Sequence, residues 1–214
     1  MSLIALDAST SEVSLALLDE NGIVKGRWTA PLNPGLIETL PLLLQSAAAG
    51  QTITDIAVCT GPGSFTGLRT SIALAQGFAA GIGATLWGIP TWDAYQEALP
   101  DLSLPLWVVI RARRGRLFLL SDSGKAEAFS DDSLPTPQGP VALAGGEASL
   151  AASCLAARGV EVMLTGICQP DAACIGLAAR RHKLVGDKPQ AALPFYVDPP
   201  EAKLPAAGLR PAPL

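Results

Sequence analysis

The chain has 214 residues, 49% of them hydrophobic and 16% charged, with a formal net charge of −4 and an isoelectric point near 5.0. That balance buries a sizeable core in one or two compact domains and excludes a disordered or fibrous chain. It also argues against nucleic-acid binding through the overall field of the protein, leaving room only for a local basic patch.

In chain order, LIALDAS from Leu3 and VSLALLD from Val13 read as strands, and the ENG turn at Glu20 to Gly22 leads into a third, IVKGRW. The opening is therefore a three-stranded meander. Asn33 and Pro34 supply an N-cap and a first helical residue for the helix that follows, in which Pro41 predicts a kink. DIAVCT at Asp55 to Thr60 reads as a buried strand, followed by a glycine-rich turn, a helix to about Gly83, a strand at Leu86 to Ile89 and a helix from Thr91 to Leu99. The uncharged run from Thr70 to Trp92 is long enough for a membrane span, but Gln76, Gly77, Gly81, Gly83, Gly88 and Pro90 divide it into a helix and a strand. Asp7 interrupts the first apolar stretch with no basic residue before it, which predicts no secretory leader.

After Pro105 the pattern begins again. Strands are expected at LWVVI, RLFLLS, KAEAFS, VALAG and VEVMLTG, with helices from Glu147 to Arg158 and from Asp171 to Lys183. Such a repetition predicts an internal duplication, with one subdomain at residues 1–103, a second at 104–197 and a loosely held tail at 198–214 that carries five prolines. A β-β-β-α-β-α unit used twice, the second reduced, is similar to the α/β layout of the actin-like ATPase (ASKHA) and sugar kinase superfamily, whose halves resemble ribonuclease H. That likeness rests on element order and carries no function by itself.

The stretch TGPGSFTGLRTSIALAQGFAAG, Thr60 to Gly81, places glycines before a helix N-terminus, as an anion site would. A Walker loop needs GxxxxGK[ST], and here Gly67 is followed by Leu68 and Arg69, so the phosphate reading fails. Gly61, Pro62 and Gly63 then make a sharp strand-to-helix turn, with Ser64 or Thr66 as the cap. Asp7, Ser9 and Thr10 form a second candidate, since actin-like ATPases hold Mg²⁺ and phosphate with an acid and hydroxyls in that turn. An ordinary Asx-turn has the same residues. The matching turn of the second half carries Arg111 where a facing acid is wanted, so phosphoryl transfer is hard to build. With Gly145 and Gly146, these residues make at most a vestigial site of weak ATP or ADP binding; no cofactor is expected. Cys59, Cys154, Cys168 and Cys174 form no CxxC pair and are expected as reduced core residues, and the lone His182 is expected on a solvated helix end.

Two helices have unusual surfaces. After Ser64, the residues Leu68, Ile72, Ala75, Ala79 and Ile82 recur at helical spacing and face a sheet, while Thr66, Thr70, Ala73, Gly77 and Ala80 form a stripe of small residues that lets a second helix approach closely. The helix after Asn33 is apolar nearly all round, with Leu36, Ile37, Leu40, Leu42, Leu43, Leu44 and Ala47. A sheet covers one side of such a helix; the rest predicts a protein-holding surface, with Leu36, Leu40 and Leu43 joining the small stripe.

At these residues a family resemblance appears. GPGSFTGLR at Gly61 to Arg69, with IALDAST near the start, LPLLL in the first helix and AQGFA at Ala75 to Ala79, resembles the TsaB (YeaZ) family of threonylcarbamoyladenosine biosynthesis proteins. The likeness thins after residue 120 to PFYV at Pro194 to Val197. It implies a cytoplasmic, non-catalytic partner of the catalytic subunit TsaD, acting with the small ATPase TsaE on tRNA that it meets only through the complex. It implies a homodimer when alone, with the two helices as the dimer surface, and no membrane contact. Departures are Gly35 or Leu36 in place of a usual histidine, Arg111 in place of an aspartate, and Tyr196, Val197, Asp198 in place of YLR. The two exchanged charges raise the expectation of an Arg111–Asp198 pair. Rival readings are a free-standing actin-like ATPase or kinase, and a paralogous dimerisation module unconnected with tRNA.

Overall fold

In the computed structural model, which describes residues 2–31, 34–113, 115–122, 125–130 and 133–197, with backbone alone at 34–39 and 113, the expected meander forms β1 (Ser2–Asp7), β2 (Glu12–Asp19) and β3 (Val24–Pro31). There follow α1 (Pro34–Ala48), β4 (Ile53–Gly61), α2 (Phe65–Ile82), β5 (Thr85–Pro90) and α3 (Thr91–Ala98). The first sheet has the order β3-β2-β1-β4-β5, antiparallel across β1, β2 and β3 and parallel across β1, β4 and β5. β1 and β4 bury consecutive residues while β3 alternates, because helices cover both faces of the central strands and leave the edge half open. The helix α1 continues through Pro41.

The second half repeats the plan with β6 (Leu106–Arg113), β7 (Arg116–Ser121), β8 (Ala126–Ser130), β9 (Val141–Ala144), α4 (Ala148–Ala156), β10 (Val162–Leu164) and α5 (Ala172–Leu184). Its sheet order, β10-β9-β6-β7-β8, is the first sheet's order read from the other edge, so the duplication is present in space. The half is reduced: residues 133–140 carry no helix, and β9 and β10 are short. The fold is the actin-like ATPase fold of two ribonuclease H-like units.

The two halves exchange helices. α5 packs across β1 and β2 of the first sheet, and Gly176 permits this, since a Cβ there would lie 2.6 Å from Leu18 Cδ1. Polar contacts fix the docking: Ala172 N–H donates to Ser14 Oγ (2.9 Å), Arg27 pairs with Asp171 (3.2 Å), and Lys183 Nζ reaches the buried Asp55 carboxylate (2.6 Å). Burial pushes that carboxyl up, but hydrogen bonds from Lys183, Trp87 and Thr54 outweigh it and hold the group below the usual range. In return, Tyr95 of α3 is buried with Leu106, Val108, Leu120, Ala142 and Ala144 of the second half, and its hydroxyl donates to the Cys168 carbonyl (2.8 Å).

Several expectations need correction. His182 does not sit on a free helix end: its Nε2 meets Asp93 of α3 and its Nδ1 meets Asp187, each at 2.7 Å. Arg181 adds a bond to Glu97 (2.6 Å), so the basic end of α5 is the clamp between α5 and α3. Ile82, expected against the sheet, is exposed in the last turn of α2. Cys59 is a core thiol, but Cys168 is exposed, because its carbonyl rather than its side chain faces Tyr95.

Beyond α5 an extended strap, residues 188–197, returns along the first half. Gly88 N–H on edge strand β5 donates to Gln190 O (3.1 Å), Phe195 N–H donates to Thr60 O (2.8 Å), and Gln76 of α2 donates to Ala192 O (2.8 Å). A Cβ at Gly88 would lie 2.6 Å from Ala191 O, so this glycine is what lets the strap lie against the edge.

Two outcomes are expected. Burial lowers the His182 pKa, but its two aspartates outweigh that and raise it above the ordinary 6.5. Its contribution to stability is then fully present below that value and is lost as pH rises through the folded-state pKa. The melting temperature of His182→Gln is expected about 2–4 °C below that of the parent at acidic pH, the shift ~1 kcal/mol produces in a chain of this size. The gap narrows at alkaline pH; a gap independent of pH removes the charged pair from the account. Gly88→Ala is expected to loosen the strap, read as faster limited proteolysis within residues 188–197 at a cost of ~1–3 kcal/mol.

Candidate functional site

Two features compete for the functional site. One is a cleft of about 450 Å³ between the halves, lined by Asp7, Ser9 and Thr10 beside β1, by Tyr95 of α3, and by Arg111, Gly146 and Glu147 of the second half. Asp7 ends β1 with its side chain buried, and Oδ1 accepts the Ser9 N–H at 2.8 Å. Burial pushes its carboxyl up despite these hydrogen bonds, which disfavours the ionised form a metal ligand needs. The glycine-rich turn closes onto the same segment: Ser64 N–H donates to Ser9 O (2.6 Å), and a side chain at Gly63 would strike the Ser9 backbone. Ser64 caps α2 by accepting the Gly67 N–H at its side chain (3.3 Å). That turn is therefore occupied by packing. It has no free cradle for phosphate.

Across the cleft, Arg111 is held by Glu147 in a two-pronged ion pair, Nε to Oε1 at 3.0 Å and Nη2 to Oε2 at 2.7 Å. The expected partner Asp198 lies outside the described residues. Of the five residues proposed for a vestigial nucleotide site, Asp7, Ser9, Thr10 and Gly146 line the cleft. Gly145 stands behind it, its N–H bonded to Ile167 O while the neighbouring Glu147 N–H bonds to Val109 O. The set does not offer a metal-bound nucleotide two facing free acids, because Glu147 across the cleft is held in an ion pair by Arg111. No group of three metal-ligating side chains occurs among the described residues.

The other feature is the outer face of α1 and α2. Thr66, Ala73, Gly77 and Ala80 are exposed and Thr70 is half-buried, so the small stripe lies open, with nothing near the space a Cβ at Gly77 would fill. The opposite side of the helix is core, through Leu68, Ser71, Ile72, Ala75 and Ala79. On α1 the assignment needs correction. Leu40 is 2% exposed and packs with Ala8 and Val13, so it belongs to the interior. Leu43 is half-buried, and Leu42, at 63% exposed, is the apolar side chain that α1 offers outward. The side chain of Leu36 lies outside the described residues.

A third feature escaped sequence reasoning. Arg69 of α2 lies over the Phe65 ring, 3.8 Å from its centroid, and its Nε donates to Tyr196 Oη of the strap (2.7 Å). Phe65 and Tyr196 are separated by more than 130 positions, and the only available signal was the aromatic pair in PFYV.

Comparison with known proteins bears on these features. A family described as TsaD, tRNA N6-adenosine threonylcarbamoyltransferase, matches residues 36–138. The chain is 34% identical over 95 residues to tRNA threonylcarbamoyladenosine biosynthesis protein TsaB of Escherichia coli (strain K12); the match covers 42% of this chain and 41% of that protein. Among solved structures, a Pseudomonas aeruginosa protein with similarity to peptidase YeaZ superposes with a TM-score of 0.73 at 22% identity, over 92% of this chain and 99% of that one. YeaZ from Pseudomonas aeruginosa gives 0.71 at 21% identity, over 91% and 100%. The last two speak to fold alone. The match spans less than half of the curated relative's length, so the chain is similar to the TsaB protein over that segment and shares its fold with the YeaZ structures.

Proposed function

We propose that the chain acts in tRNA threonylcarbamoyladenosine biosynthesis as a cytoplasmic subunit without chemistry of its own, holding and ordering a TsaD-like catalytic subunit, with a TsaE-like ATPase in the same complex. The observation that carries this reading is the open stripe Thr66, Thr70, Ala73, Gly77 and Ala80 on α2, together with exposed Leu42 on α1. Small residues along a helix let a second helix approach to close backbone distance, and the flanking leucines supply apolar area that water would otherwise cover. The stripe would serve a second copy of the chain when the catalytic partner is absent. The cleft favours the same reading from the other side. A free-standing ATPase or kinase needs two acids facing a metal, and here the acid across the cleft from Asp7, Glu147, is bound to Arg111.

Ala73→Trp and Gly77→Leu are expected to weaken partner binding by ~1–3 kcal/mol, about 5- to 150-fold, through added volume at close helix packing. Circular dichroism and melting temperature are expected to stay at the parental values, since both positions face open space. Unchanged elution and pull-down behaviour in both variants would remove the stripe from the interface.

The purified chain alone is expected neither to modify tRNA nor to cleave protein. Threonylcarbamoylation is expected only when TsaD-like and TsaE-like subunits, the carbamoyl-adenylate synthase, ATP, threonine and bicarbonate are all supplied. Mass spectrometry of the tRNA nucleosides reads this directly. Modification by the chain alone overturns the accessory role, and failure to support its native partners favours a paralogous dimerisation module.

A further inference from the structure

We infer that His182 is a proton-operated latch on the strap: the charged imidazole holds Asp187 at the strap's start, and the neutral imidazole releases it while keeping Asp93. The sequence has one histidine, set in the last turn of α5. Both of its ring nitrogens face carboxylate oxygens at 2.7 Å, Nε2 that of Asp93 and Nδ1 that of Asp187. An ionised carboxylate only accepts hydrogen bonds, so the two contacts together need a proton on each nitrogen, which is the imidazolium. A neutral ring has one N–H and one lone pair, and a lone pair turned toward a carboxylate repels it. Loss of the proton therefore costs the ring one of its two aspartates.

Burial decides which one goes. The Asp93 side chain is 15% exposed and that of Asp187 52%, and a carboxylate that loses its donor is costlier the less water can reach it. The neutral ring then keeps its proton on Nε2 toward Asp93, and Asp187 turns to solvent. The charged neighbours are otherwise engaged: Arg181 with Glu97 of α3, and Lys183 with Asp55 of β4. β5 brings no charged residue, and Lys188 follows Asp187 in the chain. Further along α5, Arg180 donates to the Glu20 carbonyl (3.2 Å), while Asp19 of β2 pairs with Lys25. Of these side-chain types, imidazole is the one whose charge ordinarily changes near neutrality. Burial lowers its pKa here, but Asp187 and Asp93 outweigh that and raise it. The latch is thus shut below the folded-state pKa and opens as pH rises through it.

Asp187 is where the chain leaves α5 for the strap. Gly186 makes the corner with φ at +84°, and Asp187 N–H keeps it by donating to the His182 carbonyl (3.0 Å). The next anchor is Gln190 O on Gly88 N–H; the far end is held by Phe195 N–H on Thr60 O and by Tyr196 Oη, which accepts from Arg69. The Asp187 side chain therefore sets the direction in which the strap starts toward Gly88. A cavity of about 410 Å³ is lined by Gln190, Ala191 and Leu193 of the strap together with Trp92 and Asp93 of α3 and Leu120 of β7. Latch and cavity share Asp93, and the element that the latch frees is part of the cavity wall.

The test uses the purified full chain, labelled with nitrogen-15 and followed by NMR from about pH 5.5 to about pH 9. The single imidazole reports its own protonation and tautomer. Exchange protection of the Gly88 N–H, taken relative to the free-peptide rate at each pH, reports the strap. That protection is expected to fall by about three- to tenfold as the imidazole becomes neutral, with the remaining ring proton on Nε2 and the amides of β1 unchanged. In Asp187→Asn, whose amide can meet Nδ1 in either protonation state, and in His182→Gln, the fall is expected to shrink below about twofold. Equal falls at Gly88 and in β1 would make the effect one of whole-domain stability and overturn the latch. A neutral ring protonated on Nδ1, with amides of α3 responding in place of Gly88, overturns it in favour of release at α3. Gly88 protection that ignores the imidazole titration, or that still follows it in Asp187→Asn, also sinks it. Melting temperatures establish that both variants are folded, and the tautomer and Gly88 readings on the parent decide the matter if either variant melts early.

Discussion

The rest of the molecule depends on α5 lying under a sheet made from the other end of the chain. β1 and β4 have buried residues at consecutive positions, and a strand buried on both faces needs a covering layer on each. α2 supplies one layer, and α5 supplies the other. The approach is close enough that Gly176 must lack a side chain against Leu18 and Leu3. With α5 committed to the first half, the second half takes Tyr95 of α3 into its own core. His182 and Arg181 then tie the two exchanged helices together through Asp93 and Glu97. The exchange makes the cleft, because each half is anchored in the other just behind it.

That arrangement leaves the lining of the cleft independent of what holds the two halves together. Nothing in the helix exchange requires an acid on β6, so Arg111 and Glu147 neutralise each other at the mouth of the cleft without disturbing either core. Fold and site are separable here, as they are in widely used architectures generally. On the outside of the first half, the open stripe on α2 and Leu42 on α1 are exposed features to which the fold itself assigns no packing role.

The element order was legible because its signals are local. The ENG turn, Pro34 at a helix start and Ser64 at a cap each act within a few residues, and the observed elements begin and end close to where those signals put them. The duplication was legible for the same reason, being two copies of one local pattern. Features decided by distant contacts were not. Leu40 and Leu42 are equally apolar, and only the packing of Ala8 and Val13 against α1 makes one interior and the other exposed. His182 looks solvated among Arg181 and Lys183 until α3 brings Asp93 to it. The strap carries no periodicity at all, so its course along Gly88, Gln76 and Thr60 has no local signature.

The placement of α5 also sets an order of events during synthesis. The strands and helices of the first sheet all leave the ribosome before residue 99, but the helix that covers its second face is encoded by residues 172–184. At ordinary elongation rates of about 5–20 residues per second, the apolar faces of β1, β2 and β4 wait on the order of 4–20 seconds for their cover. Helix formation itself is complete within microseconds. The nascent first half thus spends nearly all of that interval with a finished sheet and one bare face, and the last described helix of the chain completes the oldest part of its core.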